Sequence, residues 1–312
     1  MTTENDKSRL DRDWSNYWQG RTAAEQGSAL VGIENHPSIR QFWDEQLGDL
    51  DRTGRAVDLA CGAGTVAKVL TELGFKNIWG LDISEAAIDV MSNTLPDVIG
   101  VINPADATGF EDRFFDLVVS QFGFEYGDFR DVIPEIARIT ADNGRFIALS
   151  HKTGGGIHAE VSDQLNEFEA IKNTEFIDTA KILFTAAMNK GSDKSVEEVS
   201  EIFRPAQKKL LALVETYKGM AQHLYVSTQR MYRFRHTYVY QDIMDWFDGM
   251  ENEIDRFIGR MRSMKNAAID DEKRTEMIQL FKSNGFEMDA NFILPDTNGL
   301  DLGWIFQGRK IN

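Results

Sequence analysis

The sequence predicts a doubly wound α/β fold: a mostly parallel sheet covered by helices, with a helical insertion after strand five. Three observations predict it. Short β-type runs alternate with helix-type segments from Arg55 to His151. The first run breaks into a glycine turn that a helix follows at once. The alternation then stops from Ile157 to Ala268, where only helical periodicity is seen, and resumes near the C-terminus.

Each element has its own signal. RAVDLA (Arg55–Ala60) is a short β-type run ending at CGAG, and TVAKVLTEL (Thr65–Leu73) has apolar residues at helical spacing. NIWGLDI (Asn77–Ile83) reads as strand two. Ser84 stands as N-cap of EAAIDVMSN, whose early acids suit the helix dipole. DVIGVI (Asp97–Ile102) reads as strand three and FFDLVVS (Phe114–Ser120) as strand four, a continuous apolar run as a buried parallel strand should be. DVIPEIARIT is the next helix, and Asn143-Gly144 turns into RFIALSH (Arg145–His151), strand five. Gly154–Gly156 is a hinge-like break. At the far end DDEKRTEMIQLFKSNGF reads as a helix ending at Gly285, before two closing strands, Glu287–Leu294 and Gly299–Arg309.

The 312 residues exceed one domain of ~150. The expected organisation is an N-terminal helical lid over 1–54, an α/β core over 55–151 and 269–312, and a helical insertion over 152–268 lying over the substrate. The composition, 42% hydrophobic and 27% charged, is that of a soluble globular chain and excludes disorder. A formal charge of −16 argues against nucleic acid, because phosphate binding needs a basic footprint. The single cysteine, Cys61, excludes a disulfide framework, and no metal-ligand spacing is present. The polar start MTTENDKSRLDRDW and the lack of a long apolar run lead to the expectation of a cytoplasmic protein with no membrane span.

The densest functional signal is Val57-Asp58-Leu59-Ala60-Cys61-Gly62-Ala63-Gly64. Glycines there permit unusual φ and close approach of a ligand, and the following helix offers free N–H groups. A structural tight turn would give the same glycines. Asp82, twenty residues after Gly62, closes strand two, where a carboxylate can take two ribose hydroxyls. A nicotinamide dinucleotide and S-adenosylmethionine both fit such a crevice. The loop lacks the third glycine of the dinucleotide fingerprint. Asp58 would gain a pyrophosphate nothing, but it can organise the loop and help to hold an ammonium group. In Asn103-Pro104-Ala105-Asp106-Ala107, Asp106 is placed to accept from an adenine amino group.

With VDLACGAG, GLDIS, PADAT and FDLVVSQFGFEY in this order, and NGRFIALSH as fifth strand, the sequence resembles the class I S-adenosylmethionine-dependent methyltransferases. The resemblance covers Arg55 to His151 and returns at the C-terminal helix and hairpin. It implies a Rossmann-like seven-stranded sheet whose last strand is antiparallel, with S-adenosyl-L-methionine as cofactor. It implies that Asp58, Ala60, Gly62 and Gly64 cradle the methionyl part, that Asp82 and Ile83 hold ribose and adenine, and that Asp106 and Ala107 hold adenine. Ser120 and Gln121 would contribute backbone contacts near the methyl group. Trp14, Tyr17 and Trp18 lie at helical spacing with Arg21 one turn on. By the same resemblance this segment would cover the cofactor, with Tyr17 and Arg21 touching it and Arg21 pairing with its carboxylate. A plain packing helix would read the same way.

A base is needed only where the acceptor must lose a proton. Glu125 and Tyr126 after strand four and His151 ending strand five lie where ligands of open α/β sheets bind. His151 is the best single candidate, since an imidazole titrates near working pH. Phe122, Phe124 and Tyr126 are candidates for the acceptor wall, though phenylalanines are equally at home in a core.

The insertion holds 16 basic and 17 acidic residues, so nearly all the negative charge lies elsewhere. Its tract QRMYRFRHTYVY interleaves Arg230, Arg233 and Arg235 with aromatic residues including Tyr238, a mixture suited to a planar or carboxylate-bearing acceptor, or to a helix packed on a core. The expected acceptor is therefore a small, carboxylate-bearing metabolite methylated on nitrogen or sulfur, for example an amino acid or thioether such as methionine. The alternatives are O- or C-methylation of a phenol, quinone or polyketide, a non-catalytic cofactor-binding protein, and an NAD-dependent dehydrogenase. An exposed helical insertion is also a reasonable homodimer surface.

Overall fold

The computed structural model describes residues 36–188, 190, 194–217, 219–289 and 292–311. Tyr17 and Arg21, with Trp14 and Trp18, lie outside the described residues. The chain divides into two compact units, one of Met1–Glu160 with Ser263–Asn312, the other of Val161–Arg262.

In the first unit a short helix, α1 (Pro37–Leu47), precedes the sheet. Pro37 sits in its first turn, and the His36 ring accepts the Ser38 N–H. The strands are β1 (Arg55–Leu59), β2 (Asn77–Asp82), β3 (Ile99–Ile102), β4 (Phe115–Gln121), β5 (Thr140–His151), β6 (Phe286–Met288), β7 (Phe292–Pro295) and β8 (Asp301–Lys310). They form one sheet in the order β3-β2-β1-β4-β5-β8-β6, with β7 also on β8. The pairs among β1 to β5 are parallel, and those made by β8 are antiparallel. The order reverses at β1 and β4, and at such a switch point the strand ends open a crevice. The connecting helices are α2 (Thr65–Glu72), α3 (Glu85–Thr94) and α4 (Phe129–Ile139). Ser84 caps α3, accepting the Ala87 N–H.

The sheet has eight strands rather than seven, and the cause is local. Met288 faces Gly308 and Phe292 faces Ile305, so β6 and β7 follow one another along a single edge of β8 with a one-residue slip. The run expected as one strand thus contributes two, whose registers on β8 differ by one residue. Asn143-Gly144 likewise does not precede strand five but lies within it. Asn143 takes φ +65, and the register to β4 shifts between Phe115 and Leu117.

The core of this unit is aromatic. α4 buries Ile133 and Ile136 in the same cluster as Phe146, Phe281, Phe286 and Phe306. After the insertion, α10 (Asp271–Ser283) packs here with Met277 and Phe281, and Gly285 (φ +85) ends it as expected.

The second unit is helical. It comprises most of α5 (Gly156–Lys172), then α6 (Phe176–Ala187), α7 (Val196–Thr216), α8 (Met220–Arg233) and most of α9 (Tyr240–Ala267). Apolar residues at helical spacing, such as Leu183, Phe184, Phe203, Leu210, Leu224 and Phe247, form its core. Phe168 stacks on Phe257 at 3.9 Å. Ser195 and Glu198 form a capping box at the start of α7, and the Glu167 carboxylate accepts the Ala221 N–H in the first turn of α8.

Candidate functional site

The C-terminal ends of β1, β2 and β3 carry three carboxylates. Asp58 is buried at the end of β1, and its Oδ2 accepts the Ala67 N–H at 3.0 Å in the first turn of α2. Burial lifts its carboxyl to about 7, opposed by N–H bonds from Ala67 and Val66 and reinforced by the charge of Asp82. Asp82 ends β2. Its Oδ2 accepts the Gly62 N–H and its Oδ1 the Ser84 N–H, both at 2.9 Å. The residue singled out for a ribose thus also staples the glycine loop to β2, a task that spacing did not signal. Asp106 follows β3 and, with Arg130, Asp131, Pro134, Glu135 and Arg138, lines a groove of about 470 Å³.

The loop itself is a left-handed turn. Ala60 (φ +52), Gly62 (+52) and Gly64 (+85) all lie in the region that favours glycine. A Cβ on Gly64 would stand 2.7 Å from Met91 Cγ, and one on Gly123 would stand 2.6 Å from Ala60 Cβ. Close approach of α3 to this loop, and of the β4 end to Ala60, therefore requires those two glycines. Ala60, Gly62, Ile83 and Gln121 remain partly exposed at strand ends that are otherwise buried, and Ala107 is exposed. A backbone cradle rimmed by carboxylates fits a cofactor that carries a sulfonium and an ammonium group.

Side chains organise the ends of β4 and β5. Ser120 Oγ donates to Leu59 O (2.8 Å) and accepts the Phe124 N–H (3.1 Å), tying β4 to β1. Gln121 Oε1 accepts the indole N–H of Trp43 on α1. Glu125, in the 3-10 turn Phe124–Tyr126, is fully buried. Its Oε1 accepts two bonds from His151, one from the backbone N–H at 2.9 Å and one at Nδ1 at 2.8 Å. A carboxylate on Nδ1 assigns the ring proton there and leaves Nε2 as the basic lone pair. No described residue bonds Nε2. The Phe122 ring lies 4.5 Å from the imidazole, and Tyr126 stands edge-on at 5.9 Å.

Two expectations need correction. Phe124 does not wall a pocket. It is wholly buried, in edge contact with Phe146 and Phe306, because the 3-10 turn points it into the core. The ring beside the imidazole is that of Phe122, at φ +51 with its N–H donated to Leu149 O at 2.7 Å. A bulky residue in that conformation is strained, and such strain clusters at functional sites. The structure puts Arg230, Arg233, Arg235 and Tyr238 in the helical unit, without joining them into one site. Arg233 lies over Phe234. Arg235 lies over Tyr232 and donates to that residue's carbonyl.

An open parallel sheet with this loop and these strand-end acids defines a class I nucleotide-type α/β domain. Residues 57–148 match the family model described as a methyltransferase domain. They form a class I, S-adenosylmethionine-dependent methyltransferase domain. The chain is 33% identical over 97 residues to a demethylmenaquinone methyltransferase of Thermotoga maritima, covering 30% of this chain and 42% of that protein. It is 29% identical over 143 residues to a ribosomal protein L11 methyltransferase of Shewanella baltica, covering 44% and 45%. The chain thus spans less than half the length of these curated relatives. A solved putative S-adenosylmethionine-dependent methyltransferase from Listeria monocytogenes superposes with TM-score 0.45 at 12% identity, covering 88% of this chain and 99% of that one. Among the described residues, no helix is long and apolar enough to cross a membrane, and no three His, Cys, Asp or Glu side chains group as metal ligands.

Proposed function

We propose that the chain transfers a methyl group from S-adenosylmethionine to a small molecule whose reacting atom must lose a proton, on oxygen or carbon of a phenol- or quinone-type ring. The buried His151–Glu125 pair carries this reading. The cofactor supplies a methyl group already activated by its sulfonium. What the chain adds is alignment, exclusion of water and a base. Asp58, Ala60, Gly62 and Gly64 would hold its methionyl part, Asp82 and Ile83 its ribose and adenine, and Asp106 and Ala107 its adenine. Ser120 and Gln121 would contribute backbone contacts near its methyl group. Glu125 fixes the imidazole, and Nε2 takes the proton of the acceptor. Phe122 and Tyr126 give the base an aromatic surround that suits a flat acceptor.

The similarity to a protein named for demethylmenaquinone supports the same acceptor class. A thioether such as methionine needs no base, so the buried pair would serve no purpose there. The carboxylate-bearing acceptor also has less support, because Arg235 is engaged by Tyr232. The test is release of S-adenosylhomocysteine against a panel of phenols, quinones, amino acids and thioethers. Turnover is expected with ring acceptors and a large loss in H151Q. Turnover confined to thioethers, or full activity in H151Q, overturns the reading. Cofactor binding with no turnover on any acceptor would mark a binding protein instead.

A further inference from the structure

The connection from β3 to β4, Asn103–Phe114, contains no helix or strand, and it carries Asp106 and Ala107. A connection of this kind has many conformations open to it, and a ligand that had to order it would lose affinity in doing so. Here it is held at two places. Towards β2, Asn103 donates its N–H to Asp82 O at 3.1 Å. The Asn103 side-chain amide donates to Thr108 O at 3.0 Å, across the stretch that holds Asp106 and Ala107.

The second hold comes from α4. Glu135 Oε1 accepts the Thr108 N–H at 2.8 Å and the Thr108 hydroxyl at 2.5 Å. One turn on, Arg138 meets both oxygens of this carboxylate, with Nη2 at 2.8 Å from Oε1 and Nε at 2.7 Å from Oε2. Its Nη1 donates to Phe110 O at 2.8 Å and to Asp112 Oδ1 at 2.7 Å. Its carbonyl accepts the Arg113 N–H at 2.8 Å. Forked, charge-assisted bonds of this kind fix geometry as well as adding energy. Thr108 is buried, and Glu135 and Arg138 line the same groove as Asp106.

We infer that Glu135 and Arg138 are positioning residues for the adenine of the cofactor: they hold the loop in the shape that presents Asp106 and Ala107 to it. Both act only through the loop. The inference rests on the reading that Asp106 and Ala107 hold adenine, and it gives the helix after β4 a part in that recognition.

The test is calorimetry on the full chain with two ligands, S-adenosylhomocysteine and S-inosylhomocysteine, in which an oxygen replaces the adenine amino group. The parent is expected to prefer the first by about tenfold or more, the worth of one hydrogen bond to a charged group. D106A is expected to remove that preference. E135A and R138M should weaken S-adenosylhomocysteine and carry the preference most of the way to that of D106A. In a D106A background, E135A should change the preference no further. If E135A keeps the parent's preference, even with both affinities lowered together, the clasp is merely structural. The inference is then overturned while the adenine reading stands. If the parent shows no preference, or D106A keeps it, the adenine reading falls and the inference falls with it. Thr108→Val keeps the test decisive should the clasp variants fail to fold. It removes one hydroxyl on Glu135 with little change of shape and should reduce the preference in part. An unchanged preference there overturns the inference as well.

Discussion

At the ends of β1 and β2 the backbone is what is held: Asp58 takes N–H groups of α2, and Asp82 takes those of Gly62 and Ser84. At the ends of β4 and β5 side chains hold a side chain. Glu125 grips the imidazole and Phe122 lies against it. The first arrangement shapes a surface and contributes by fixing a cradle. The second prepares one atom, Nε2, and contributes by what that atom can accept. Damage to the first should therefore appear in cofactor binding and stability, and damage to the second in turnover.

The sharpest way to break this division is H151Q. Turnover should fall about 10²–10⁴-fold, the usual range for loss of a positioned base. S-adenosylhomocysteine affinity, measured by calorimetry, should stay within about twofold, well under ~1 kcal/mol. A comparable fall in cofactor affinity would mean that the two regions are one.

The cradle should declare itself in the pH dependence of stability. The folded value of Asp58, about 7, lies above its unfolded value of ~4, so the folded chain holds that proton more tightly. The stabilising contribution is complete below about pH 4 and is lost as pH rises through about 7. Its upper bound is ~4 kcal/mol. The thermal midpoint of the cofactor-free protein should fall between pH 5 and pH 8 through this group, and D58N should flatten the fall. An unchanged slope in D58N would remove Asp58 from the account.

D82N tests the staple with a smaller effect. One carboxylate oxygen becomes a donor facing the N–H of Gly62 or Ser84, at a cost of about 1–3 kcal/mol. Cofactor binding should weaken about tenfold or more, while turnover at saturating cofactor stays close to the parent. A selective loss of turnover would assign Asp82 to the other region.

The same contrast explains what could be read from the residues alone. Glycines at Gly62 and Gly64 were legible because a left-handed turn between strand and helix leaves few other choices. The parallel strands were legible from continuous apolar runs, and the insertion from its helical period. Ala60 has the same positive φ as Gly62 and left no trace, since alanine there is tolerated only by context. Phe122 and Phe124 could not be told apart, because two phenylalanines around a glycine look alike. Only the turn decides which of them enters the core. Glu125 and His151 were each visible at a strand end, but not their bond.

The smallest expected effect falls in the helical unit and sharpens the comparison from outside it. Arg235 there has its own partners, the ring and carbonyl of Tyr232, at the end of α8. Removing a cation–aromatic contact of this exposed kind changes stability by about 0.5–1 kcal/mol. R235A should therefore lower the thermal midpoint slightly and leave the KM of the turned-over acceptor within about twofold, under ~0.5 kcal/mol. A tenfold rise in KM with unchanged kcat would mean that the arginine holds an acceptor carboxylate. The helical unit would then join the reacting region, and an anionic acceptor would displace the neutral ring as the better substrate.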